Sequence, residues 1–66
     1  MQVDKKHIAE YKKWLRTMDD GMFTLQCKSK KWLSGIPGEF QHIYKAELAA
    51  CKLESNRRGT NIYERA

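Results

Sequence analysis

One proline and two cysteines occur among 66 residues, and no apolar run approaches the roughly 20 residues that span a bilayer. The opening stretch MQVDKKHIAEYKK has no apolar core of the kind a secretory leader carries. Without a leader, two cysteines do not predict a disulfide scaffold, because thiols inside cells are mostly kept reduced. A soluble, cytoplasmic chain with no membrane partner is the expectation.

The motifs of catalysis and metal binding are missing as well. His7, Cys27, His42 and Cys51 stand at none of the short C-x-x-C or H-x-x-x-H spacings that specify zinc. The segment SGIPGE (34–39) has neither the lysine nor the glycine spacing of a phosphate-cradling loop. Nothing in the order of residues sets a nucleophile beside a base and an orienting group. No enzyme activity, cofactor or metal is expected, and a chain of this size has little room for a substrate pocket. Cys51 reads as a small apolar core residue, and His7 as a buried or half-buried imidazole with one hydrogen bond.

Acid is absent from residues 21–38, which carry three lysines. Of the formal net charge of +5, residues 1–20 hold +1, residues 39–54 hold −1 and residues 55–66 hold +2. Positive charge is thus concentrated in a middle connector and a tail, which suits an acidic partner.

Periodicity predicts an all-α fold in a single small domain, 1–66. The stretch 38–54, GEFQHIYKAELAACKLE, carries two apolar ridges at helical spacing. Phe40, Tyr44, Leu48 and Cys51 make one; Ile43, Ala46, Ala50 and Leu53 make the other. Two ridges predict a helix flanked on both sides. Glu47 and Glu54 fall in the seam, where carboxylates pair with Lys or Arg of a neighbouring element. Pro37 and Glu39 mark the start of this helix and Gly59 its stop, after Arg57 and Arg58. A first helix is predicted over about 4–18, with Val3, His7, Ile8, Tyr11, Trp14, Leu15 and Met18 in one sector. Lys5, Lys12 and Arg16 lie opposite, and Gly21 is expected as a left-handed cap. The two long helices, about 4–18 and 38–57, are expected to pack antiparallel, with a short third helix in the connector. The alternative is α+β, with a β-hairpin at 22–34, because Phe23, Leu25 and Cys27 alternate with polar residues.

Two functions are expected, both non-enzymatic. The first is nucleic-acid binding through KSKKW (28–32) and SNRRGTN (55–61): Lys28, Lys30, Lys31, Arg57 and Arg58 neutralise phosphates and Trp32 stacks on a base. No helix-turn-helix, zinc-finger or ribonucleoprotein signature accompanies them. The alternative is a regulatory protein-interaction module, of the kind a phage or other mobile element carries. It would self-associate as a homodimer, or dock on an acidic protein surface, through Ile43, Ala46, Ala50 and Leu53. Attachment of the first helix to a membrane surface is a third reading, but its pattern is equally that of a helix covering a core. Salt separates the first two: phosphate binding should fall steeply with ionic strength, whereas an apolar interface should change little.

Overall fold

The Asp4 carboxylate accepts a hydrogen bond from the Lys6 amide (2.9 Å) and caps the first helix, α1, Lys5–Thr17. Asp19 repeats the device on the Met22 amide (2.8 Å) and starts α2, Asp20–Ser34. A six-residue link leads into α3, Gln41–Arg58, and a short α4, Ile62–Arg65, follows. The structure, a computed structural model, describes residues 4–66; Val3, expected in the apolar sector of α1, lies outside them. Every element among the described residues is helical.

The all-α expectation holds, and the hairpin at 22–34 does not. Phe23, Cys27, Lys30 and Ser34 recur at the three- and four-residue steps of one helix face, so the alternation of Phe23, Leu25 and Cys27 is incidental. Phe23 and Cys27 are fully buried, while Leu25 points to solvent. The connector helix is not short: its 15 residues exceed the 13 of α1. Gly21 is not a left-handed cap but lies inside α2, since Asp19 starts a new helix two residues beyond Thr17. Pro37, Gly38 and Glu39 precede α3 rather than forming its first turn.

Pairings along the helices set their directions. Ser34 meets Gln41, Lys30 meets Glu47 and Asp20 meets Arg58, so α2 runs against α3. His7 meets Glu47, Tyr11 meets Cys51 and the Leu15 carbonyl meets Arg58, so α1 runs with α3. The two long helices expected to be antiparallel are therefore parallel, because α2 is long enough to carry the chain back before α3 begins. The result is an up-down-up bundle of 32 × 23 × 16 Å, with α3 packed against all three other helices. Its two ridges have the two flanks that a double stripe demands: Ala46, Ala50 and Leu53 lie beside α1, and Tyr44 beside the end of α2.

The core is small. Tyr11, Leu15, Phe23, Cys27, Ala50 and Cys51 form it, with Met18, Ile62, Tyr63 and Ala66 closing its edges. Both cysteines are free and fully buried. Burial, with the neighbouring Cys51 second, pushes the Cys27 thiol up to about 12, the behaviour of an inert packing group. Among the described residues no helix is long and apolar enough to cross a membrane.

Gly59 ends α3 in the left-handed region, φ 67°, with its amide donating to the Ser55 and Asn56 carbonyls. A Cβ there meets no atom within 4 Å, so only backbone strain opposes a side chain. Gly59→Ala is expected to cost about 1 kcal/mol and to lower the thermal midpoint, whereas Gly38→Ala, also in open space but without positive φ, should cause no loss.

Candidate functional site

The six residues expected to bind nucleic acid are not gathered into one patch, and four of them have work inside the bundle. Lys30 places Nζ 3.1 Å from Glu47 Oε1 and over the rings of Tyr11 and Tyr44. Lys31 donates to the Ala66 carbonyl oxygen (2.9 Å) and lies over Tyr63. Arg57 holds both oxygens of Glu54, at 2.8 and 2.7 Å. Arg58 donates to Glu54 (2.6 Å), to Asp20 (2.7 Å) and to the carbonyls of Leu15 and Met18 (2.7 Å each), and covers the face of Phe23. The levels of Glu47 and Arg58 are eleven residues apart on α3, roughly 16 Å at 1.5 Å per residue. Only Lys28 and Trp32 are exposed without such an engagement, Trp32 by 70%.

Both seam carboxylates are buried, Glu47 at 6% and Glu54 at 5% exposure. Glu47 pairs across to Lys30 of α2 and accepts from the half-exposed His7 of α1 (3.3 Å) if Nε2 carries the proton. Glu54 departs from expectation: its guanidinium partners, three and four residues on, belong to its own helix. Hydrogen bonds from Arg57, then Arg58, hold its carboxyl at about 2, against the opposing pull of burial.

An open groove runs between the parallel helices α1 and α3, apart from a smaller hollow of about 240 Å³ among Leu33, Ile36, Phe40 and Tyr44. One stretch, about 410 Å³, is lined by Lys5, Ile8, Ala9, Lys12 and Ala46. A second, about 270 Å³, shares Lys12 and adds Arg16, Ala50, Leu53, Glu54 and Arg57. Alanines cause it: Ala9, Ala46 and Ala50 are too short to fill the space between two helix surfaces, and α2 lies on the other flank of α3. Three of the four residues expected at a partner interface meet here. Ala46 and Leu53 face the opening, Leu53 by 56%; Ala50 forms the floor at 1% exposure; Ile43, half-buried, does not line the groove.

The α1 side went unassigned in the sequence. Lys5, Ala9, Lys12 and Arg16 recur at steps of four, three and four, so they share a face. That spacing was legible; its juxtaposition with the alanine flank of α3 was not. Among the described residues, no ion pair involves Lys5, Lys12 or Arg16. A further exposed apolar set on α2, Met22, Leu25 and Trp32, lies outside this groove. Among the described residues no three His, Cys, Asp or Glu side chains cluster as a metal site.

Because the Glu54 carboxyl sits below its ordinary 4.5, its pairing stabilises the fold fully above pH 4.5 and is lost as pH falls towards 2. The thermal midpoint is expected to drop across that window in the parent chain. Glu54→Gln should flatten that part of the profile and cost about 3 kcal/mol at neutral pH, since it removes the buried counter-charge of Arg58 and leaves that guanidinium only the exposed carboxylate of Asp20. No protein family, curated protein or solved structure matches the chain.

Proposed function

We propose that the chain is a non-enzymatic docking module whose α1–α3 groove receives an α-helical segment of another protein. One observation carries this reading: a groove whose wider stretch has Ile8, Ala9 and Ala46 on its walls lies open between two parallel helices, and no element of the described chain covers it. Ile8, Ala9, Ala46 and Leu53 offer a floor into which the knobs of an incoming helix fit, the helix-in-groove mode of recognition.

Two other readings weigh less. Nucleic acid would be bound by cations that are free to meet phosphates, yet Lys30 and Arg58 are held in ion pairs at 15% and 12% side-chain exposure. Reversing the charge of Arg58 would report on folding rather than on phosphate contact. A second copy docked groove to groove would bring Lys5, Lys12 and Arg16 against their own equivalents, and Glu54, the acid lining the groove, is already held by Arg57 and Arg58. Ala50→Glu is equally uninformative as a test of dimerisation, since Ala50 is buried in the monomer.

Photo-crosslinking side chains placed at Ala46 and Leu53, with Lys28 as the control position, test the proposal inside cells. Crosslinks from 46 and 53 are expected on one protein segment, at positions about seven residues apart because the two sites are themselves two helical turns apart on α3, and not from 28. Adducts to nucleic acid, or the same adducts from all three positions, would remove the docking reading.

A further inference from the structure

The charge at the groove's edge speaks to its occupant. Resting on the docking reading above, we infer that this occupant is an acidic amphipathic helix, with carboxylates spaced to meet Lys5, Lys12 and Arg16. These three cations follow the trench along α1 and have no counter-charge in the described chain. Five of the chain's eight acids are committed elsewhere, and Glu39 and Glu64 lie in the link before α3 and in α4. Asp4 and Asp19 cap helices, Asp20 pairs with Arg58, and Glu47 and Glu54 are buried in ion pairs. Glu10 lies on the opposite face of α1, about 100° per residue putting it well away from the Lys5–Lys12–Arg16 stripe. A fourth cation, Arg57, stands at one end of the trench but already holds Glu54.

Steps of seven and four residues separate the three cations, a rise of about 10 Å and then 6 Å. A partner helix lying parallel to α1 meets them with carboxylates at i, i+7 and i+11; an antiparallel one needs i, i+4 and i+11. Both sets occupy a single helix face, so the acids flank an apolar stripe that fills the alanine floor. Apolar burial supplies the affinity here, while the charges set register and partner choice. A phosphate backbone would satisfy the same cations and leave the floor of Ile8, Ala46 and Leu53 unused.

The test titrates the full chain with two end-blocked synthetic helices of 22 residues, each with a leucine and alanine stripe. They differ only in carrying glutamate or glutamine at i, i+7 and i+11; a second pair carries them at i, i+4 and i+11. In 50 mM salt at least one glutamate helix should bind tenfold or more tightly than its glutamine twin, shifting the amide resonances of Ile8, Ala9 and Ala46. That advantage should shrink at 300 mM salt and vanish in the Lys12→Glu, Arg16→Glu variant, whose two substituted positions are solvent-exposed. Equal binding of glutamine and glutamate helices in the groove overturns the acidic assignment and leaves the docking reading standing. If neither pair moves the groove resonances, the inference is lost. A 20-base-pair DNA duplex provides the last arm. Binding of it that depends on Lys12 and Arg16 but is unmoved by Ile8→Ser and Leu53→Ser would overturn both readings, the cations then serving phosphates.

Discussion

The bundle turns on a single guanidinium. Arg58 reaches the carbonyls of Leu15 and Met18 at the end of α1, the carboxylate of Asp20 at the start of α2, and Glu54 one turn back on its own helix. Three helices thus meet at one side chain. The geometry suits arginine, because a planar fork of five donors serves four acceptors here, one more than the three donors of a lysine ammonium could. The acceptors also need it. The last carbonyls of a helix have no partner within the helix, and here two of them are satisfied from outside. The cation stacks on Phe23, which is fully buried, so the junction joins directly to the apolar core.

A core of six buried residues is little for a chain this size, and the polar seam of α3 complements it. Glu47 and Glu54 face inward at two levels, Glu47 paired with Lys30 and Glu54 with Arg57 and Arg58. Breaking such a pair leaves a buried charge, so the seam enforces one register of α1 and α2 on α3 more strictly than it adds net stability. The seam also has a consequence for the surface. It consumes Lys30, Arg57 and Arg58, which by sequence count toward the basic excess, and leaves Lys5, Lys12 and Arg16 as the uncompensated cations beside the groove. The charge available beside the groove lies on α1, while much of that in the connector and the tail is spent within the bundle.

Much of the fold was legible because helical spacing is a local property. The double stripe of 38–54 needed two neighbours, and α3 has them; Asp4 and Gly59 mark their helix ends in the sequence and in the structure. α2 was harder to read since its inward face contains Lys30 and Ser34. A face that mixes Phe and Cys with Lys and Ser has weak apolar contrast, and the neighbouring Leu25 supplies a false alternation. The groove was half visible: Ala46, Ala50 and Leu53 stood out as a flank of small side chains, while the matching face of α1 was seen merely as its polar side.

What order alone determined, then, was the helical character of the chain, the seam position of two carboxylates and the stop at Gly59. Each depends on residues within a few positions of one another, where backbone geometry leaves few choices. Folding decided the direction of α1 relative to α3, the identity of the cations that neutralise Glu47, and which basic residues remain for others. Those depend on encounters between groups far apart in the chain, such as Lys30 with Glu47 or the Met18 carbonyl with Arg58. A charge count cannot distinguish a lysine that meets solvent from one buried against a carboxylate; only the packed bundle separates them.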